Sequence, residues 1–272
     1  VYLWVLDLWP DTLKSFNKLI FYFINPFLRI IVNFIYRNCD HVMVQSLSFR
    51  KEISKYIDKK KISILYSWAE NFYFTNCTNK KKRTKQFTIL FAGNIGEAQD
   101  MSSLLEAGKL LKNENIKWIF LGDGRKLEWF KKKIIKEKIE GCFDFPGQFP
   151  AKDMPQFFAK ADIFLLSLKK DKVFEMTIPG KLQSYLAYGK PIVTMADGEA
   201  SKIVEISKSG LIAGSGQYRK LSSNILKLKN IGIKKRSIME KNAKLFAIKF
   251  FKIESAINIF ENIIFKSFKK NI

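Results

Sequence analysis

The residues best suited to chemistry lie in the stretch 174–191, FEMTIPGKLQSYLAYGKP. Pro179, Gly180 and Lys181 fall at the expected start of a helix over 181–188, closed by Gly189, and Pro191 then opens a short apolar strand. Proline suits a first helical turn, where its missing N–H would have no partner anyway. Glycine lets a ligand approach the backbone closely. The first N–H groups of a helix are unpaired donors, and the helix dipole favours an anion there. Lys181 adds a full positive charge in the same turn, and Glu175 stands just before it. The chemistry offered is the holding of a phosphate. The same residues also suit an ordinary loop-to-helix entry with a solvated lysine.

The elements around this stretch decide what it can meet. From residue 87 onward, apolar strands alternate with amphipathic helices. Strands are predicted at 87–92, 118–121, 142–145, 163–167, 192–194 and 211–213, with helices between and after them. Such alternation implies right-handed crossovers and a parallel sheet covered on both faces. In an open parallel sheet, ligands bind beyond the C-terminal ends of the strands. That rule collects the turns Gly93-Asn94-Ile95-Gly96, Gly122-Asp123-Gly124, Pro146-Gly147-Gln148 and Ala196-Asp197-Gly198-Glu199 around Gly180 and Lys181. Neither a GxxxxGK[ST] loop nor a full GxGxxG is present, which removes most support for a P-loop ATPase or a dinucleotide enzyme. What remains is a nucleotide-sized pocket with a phosphate site at one helix start.

The first third reads differently. Residues 1–8 suggest a strand, followed by the loop Asp7-Leu8-Trp9-Pro10-Asp11 and a very apolar helix over 16–36. Lys14, Lys18, Asn25, Arg29, Asn33 and Arg37 recur mostly four apart and form a narrow polar stripe on that helix. The pattern fits a core helix with partial membrane contact rather than a span, since a charge at mid-bilayer is costly. Pro26 is expected to kink or split it. Strands at 41–46 and 62–66 flank a short helix at 49–56, and the lone His41 reads as structural. Residues 75–86, TNCTNKKKRTKQ, read as a linker. The segment 250–268 reads as an amphipathic helix with a basic end.

Composition bounds the partners. The chain has 272 residues, with 48 Lys and Arg against 25 Asp and Glu, a net charge of +23. That balance favours anionic partners: nucleic acid, an acidic membrane surface or a phosphorylated ligand. The basic run at 80–85 carries no interleaved aromatics for stacking on bases, which argues against nucleic acid. Three separated cysteines and one histidine offer neither a disulfide framework nor a metal cluster, so a reducing cytoplasm is expected. The sequence does not begin with Met and opens inside an apolar run, so its true N-terminus is expected to lie upstream.

FAGNIGEAQDM, LGDGRKLEWFKKK, FPGQFPAKDMPQFFAKADIFLLSLK, the 174–191 stretch and VTMADGEASKIVEISKSG, in this order and spacing, resemble the C-terminal half of retaining family-4 glycosyltransferases of the GT-B fold. The branch that looks nearest is that of bacterial surface-polysaccharide and O-antigen enzymes, of the L-fucosamine transferase type. DLWPD resembles that branch's N-terminal domain. The resemblance implies an α/β chain of two Rossmann-like domains with parallel sheets. Residues 1–74 are then an incomplete acceptor-side domain, 75–86 a linker, 87–249 the nucleotide-sugar domain and 250–272 a C-terminal amphipathic helix.

The resemblance also implies roles. The donor is a nucleotide-diphospho-sugar, UDP-sugar favoured, and the acceptor a lipid-linked glycan, at the inner face of the plasma membrane. Lys181 and Glu175 are the catalytic candidates: Lys181 for the leaving diphosphate, Glu175 for the donor-sugar hydroxyls. Gly93, Asn94, Gly96, Gly122, Gly124, Gly147, Pro179, Gly180, Ser184 and Glu199 would surround the nucleotide, and Asp7 and Trp9 would face the acceptor. Two departures stand out. Ser184 falls where relatives carry a second glutamate for the ribose, with eight residues rather than seven between it and Glu175. Asn94 and Asp100 fall where relatives place an arginine and a lysine for the diphosphate. No metal is required, because a lysine and a helix start can do that work. An inactive nucleotide-sugar-binding fragment, a scaffold and a basic nucleic-acid-binding protein remain the competing readings.

Overall fold

The computed structural model describes residues 1–15, 18–75 and 86–268. Side chains at 14–20 and 266–272 are not described, so Lys14, Lys18 and the basic end of the chain lie outside it, as do residues 76–85 of the expected linker with their lysines.

The first unit is a parallel sheet in the order β1 (Tyr2–Val5), β2 (His41–Val44), β3 (Ile62–Ile64). Helix α1 (Lys18–Arg37) joins the first two strands and α2 (Leu47–Ile53) the next pair. Val5, Val42, Val44, Phe49, Ile53 and Ile62 form its core. His41 is held by Ser63 Oγ at 2.9 Å, a structural placement. Pro26 does not split α1, which runs unbroken through it. The middle of the polar stripe of α1 turns toward the protein while Arg37 stays exposed: Arg29 donates to the Tyr56 hydroxyl (2.8 Å), to Asp11 Oδ1 (2.9 Å) and to Asn25 Oδ1 (3.2 Å). Phe23, Phe27, Ile30 and Phe34 face outward instead, Phe23 being 85% exposed.

The second unit is a six-stranded, all-parallel sheet in the order β6-β5-β4-β7-β8-β9. Its strands are β4 (Phe87–Ala92), β5 (Ile116–Leu121), β6 (Phe143–Gly147), β7 (Ile163–Ser167), β8 (Ile192–Met195) and β9 (Gly210–Ala213). Alternation along β4 sends Ile89 and Phe91 into one core and Leu90 and Ala92 into the other, so both faces are buried. Helices α3 (Met101–Leu110), α4 (Leu127–Lys136), α5 (Met154–Phe158), α6 (Lys172–Met176), α7 (Gly180–Tyr188), α8 (Glu199–Ile206), α9 (Tyr218–Asn230) and α10 (Gly232–Phe250) make the connections and covering layers. The chain builds outward from β4 to β6, then returns to β7 and builds the other way. The switch point therefore lies between β4 and β7, where α/β folds of this order form a crevice.

One expected loop is partly helical. Residues 172–176 form a single turn, α6, capped by Asp171, whose side chain accepts from Val173 N at 2.8 Å. A helix this short leaves no periodicity to read. The last helix, α11 (Ile253–Phe268), crosses back to the first unit, where Ala256 packs with Met43 and Leu65, and Ile259 and Ile263 lie beside Tyr2 and Trp4. No helix among the described residues is long and apolar enough to cross a membrane.

Candidate active site

The turns beyond β4, β5 and β6 are laced to one another through their backbones. Gly93 N–H donates to the Leu121 carbonyl (2.8 Å), Ile95 N–H to Asp123 (2.8 Å) and Gly122 N–H to Gly147 (2.9 Å). The approach is so close that only glycine fits at 122: its φ is +129°, and a Cβ there would stand 2.1 Å from the Gly93 carbonyl oxygen. Glu97 fastens the same ring from outside. It pairs with Lys126 at 2.9 Å and Lys169 at 3.2 Å, and these bonds lower its pKa.

A cavity of about 720 Å³ opens beside these turns. Gly93, Asn94, Gly122, Gly124, Lys181 and Ser184, all candidates from the sequence, line it. Phe149, Met154 and Phe158 add an apolar wall. The first turns of α7 bring Lys181 and Ser184 to the cavity, while Pro179 and Gly180, the other two candidates at this helix start, do not line it. Pro179 is the N-cap residue of α7 and no side chain caps the helix, which leaves the first-turn donors of Gly180 and Lys181 open. At the other end Gly189 closes α7 in the left-handed conformation, φ 82°.

The Nζ of Lys181 is buried, has no hydrogen-bond partner among the described residues, and lies 3.9 Å from the centroid of the Phe91 ring. Burial brings its pKa down from 10.5 to about 7. Among the described residues only the face of the Phe91 ring offsets the desolvation of this amine, so an anion placed beside it would stabilise its charged form.

The remaining candidates fall elsewhere. Gly96 lies one step beyond the cavity, its N–H donating to Gln99 Oε1 at 3.0 Å. Gly147 contributes its carbonyl to the lacing, while its neighbour Gln148 lines the cavity. Asp100 caps α3 through Ser103 N and Oγ, at 3.2 and 2.6 Å. Glu175, on α6, does not line the cavity; its backbone abuts Gly198, where a Cβ would meet the Glu175 carbonyl oxygen at 1.9 Å. Glu199 is buried outside the cavity, and its Oε1 accepts from Ser48 N (3.1 Å) and Ser48 Oγ (2.5 Å) at the start of α2. Its carboxylate thus caps a helix of the other unit, and Ser46 Oγ reinforces the junction by donating to the Met176 carbonyl at 2.7 Å. Asp7 and Trp9 lie in the first unit. Trp9 is 51% exposed, so it does not plug the core.

Besides the apolar wall, the sequence reading singled out neither Tyr185 nor Tyr73, both of which line the cavity. Tyr185 places its hydroxyl to accept from Ala92 N at 2.7 Å, which fixes α7 to β4, and burial raises its pKa. Tyr73 reaches the cavity from a single 3-10 turn, Asn71–Tyr73, that leads out of the first unit. Among the described residues, no group of three or more His, Cys, Asp or Glu is placed to hold a metal ion.

A crevice at the strand-order reversal, with a helix start and a lysine in it, is a mononucleotide-diphosphate arrangement found in several families. The deciding observation is a family match over residues 75–246, to the family described as "Glycosyl transferases group 1". The chain belongs to that family. Among curated relatives, this group 1 glycosyltransferase is 26% identical over 234 residues to the "Probable glycosyltransferase WbjE" of Pseudomonas aeruginosa, an alignment covering 79% of this chain and 57% of the relative. It is 26% identical over 143 residues to the "Amylovoran biosynthesis glycosyltransferase AmsK" of Erwinia amylovora, covering 52% and 35%. The chain therefore spans about half or less of the length of these relatives. Among solved structures it superposes on HepE (Alr3699) of Anabaena, crystallised with UDP and glucose, with a TM-score of 0.73, 16% identity and coverage of 97% and 70%. TarM of S. aureus gives a TM-score of 0.71 at 14% identity, covering 96% and 50%. The group 1 glycosyltransferase thus has the GT-B fold, built from two Rossmann-like units.

Proposed function

We propose that this group 1 glycosyltransferase transfers a hexosyl or N-acetylaminosugar residue, with retention, from a UDP-sugar to a lipid-linked oligosaccharide in cell-surface polysaccharide synthesis, as an enzyme of the L-fucosamine transferase type. One observation carries the reading: a buried, unpartnered lysine Nζ at the open start of α7, facing a nucleotide-sized cavity at the sheet's switch point. As the bond between the anomeric carbon and the diphosphate oxygen breaks, negative charge develops on the leaving group. Lys181 and the first N–H groups of α7 are fixed in place to receive it, which stabilises the transition state without reorganisation. In this reading Glu175 orients donor-sugar hydroxyls and is not a nucleophile, Asp7 and Trp9 belong to the acceptor side, and the reaction needs no metal. The outward apolar face of α1, with Arg37 exposed at its end, supports a place on the cytoplasmic surface of an anionic membrane, where a lipid-linked acceptor is found.

Calorimetry with UDP, GDP and UDP-sugars tests the reading. UDP and a UDP-sugar should bind, and Lys181→Ala should weaken UDP far more than uridine. Equal losses for both, or salt-sensitive DNA binding with no nucleotide-sugar binding, would refute it.

A further inference from the structure

Residues 174–178 carry the chain from one core to the other and back. Phe174 packs against the core of the second unit. Met176 is buried in the core of the first, the one that holds Val44 and Phe49. Ile178 is buried in the second again, in the core that holds Leu182 and Tyr185. Glu175, the candidate for the donor-sugar hydroxyls, stands in the middle of this crossing. The single turn α6 is therefore a bridge between the two units.

Ser46 holds the bridge from the first-unit side. It is buried at the start of α2, and its hydroxyl accepts from Phe49 N at 3.0 Å and donates to the Met176 carbonyl at 2.7 Å. A hydroxyl has one proton, so this bond uses all that Ser46 can donate. The Met176 carbonyl needs it, because the last carbonyls of a helix have no donor within the helix. On the second-unit side the Glu175 carbonyl lies against Gly198, and Glu199, the next residue, accepts from Ser48. The start of α2 thus touches both segments that enclose Glu175: α6 through Ser46, and the Gly198 turn through Glu199.

We infer that Ser46 is a positioning residue for Glu175: through its bond to Met176, the first unit sets where the Glu175 carboxylate stands relative to Lys181. The inference rests on the proposed function above, in which Glu175 meets the donor sugar and Lys181 the diphosphate. Lys181 is anchored differently. Its helix is fixed within the second unit, by Ile178 just before it and by the Tyr185 hydroxyl on Ala92 N. Loss of the Ser46 bond therefore loosens Glu175 and leaves the diphosphate contact in place. One neutral hydrogen bond corresponds to about two- to tenfold in affinity.

The test is calorimetry of the full chain with UDP, UDP-glucose and UDP-N-acetylglucosamine, which reads the sugar's share as the ratio of UDP-sugar to UDP affinity. Ser46→Ala should shift that ratio against the sugar by about two- to tenfold, with UDP affinity within about twofold of the parent. Ser46→Thr keeps the hydroxyl and should restore the parent ratio. Lys51→Gly weakens α2 at an exposed position away from Met176 and should leave the ratio alone. In a Glu175→Gln background, Ser46→Ala should add no further shift. A ratio unmoved by Ser46→Ala, or moved equally by Lys51→Gly, would overturn the positioning role and leave nucleotide binding standing. A ratio unmoved by Glu175→Gln would remove Glu175 from the sugar, and the inference with it. Failure of the unaltered protein to bind UDP would overturn the nucleotide reading itself.

Discussion

The Nζ of Lys181 stands 3.9 Å from the centre of the Phe91 ring and has no hydrogen-bond partner among the described residues. A pKa near 7 leaves Lys181 about half charged at neutral pH before any anion binds. A diphosphate restores its full charge, so binding takes up protons above that pH. Affinity for UDP should be level below about pH 7 and fall by up to tenfold per pH unit above it, until the pKa of the bound state is reached. Calorimetry in buffers of different ionisation enthalpy measures the uptake. A flat profile from pH 6 to about 9 would show that Lys181 does not face the diphosphate.

The same burial carries a stability cost. The folded pKa lies below the unfolded one, so between about 7 and 10.5 the unfolded chain holds the proton more tightly, and this group's contribution to stability rises with pH. Below pH 7 the penalty is present in full. Lys181→Met should therefore raise the melting temperature at pH 6.5, by an amount that shrinks toward pH 10, while UDP affinity drops at least tenfold. Thermal unfolding at both pH values checks it.

Gly122→Ala places a Cβ 2.1 Å from a backbone oxygen at a positive φ. No side chain can move aside, so the turns beyond β4 and β5 must part. We expect a loss of at least about 2 kcal/mol in urea unfolding, with nucleotide binding lost as well.

Glu199 separates two roles that the sequence left together. Its carboxylate caps α2 through Ser48, so Glu199→Ala should cost about 1–2 kcal/mol, speed hydrogen exchange in α2 and leave UDP affinity within about twofold. Loss of UDP binding in a fully folded variant would return Glu199 to the nucleotide site.

Phe23, Phe27 and Phe34 test the outer face of α1. Replacing all three by Ser should abolish pelleting with anionic liposomes at low salt and leave UDP binding unchanged. Unaltered pelleting would place the membrane contact elsewhere, and a change from dimer to monomer would make this face an interface between copies.

Much of this was written in local patterns. The bounds of β4 and β7 follow mostly apolar runs, interrupted only by Thr88 and by Ser167 at the end of β7, because strands buried on both faces are built mainly from apolar residues. Gly189 marked the end of α7 because only a left-handed residue closes it there. Long-range partners were not legible. The spacing of Asn25, Arg29 and Asn33 defined a stripe on α1, but its direction depends on Asp11 and Tyr56, which meet Arg29 only in the fold. Glu199 finds its partner 151 residues away. Tyr73 reaches the cavity because the chain turns toward it between the two units, and no periodicity announces such a turn.

The return of α11 to the first sheet sets an order on how the molecule is made. Met43 and Leu65 are translated well before Ala256, which covers them and follows Leu65 by 191 residues (256 − 65). Until those intervening residues are made, β1, β2 and β3 hold an uncovered apolar layer beside a growing chain. They gain their permanent cover only when the second unit has folded and positioned α11. Of the two units, the first in sequence is therefore the later to complete its cover.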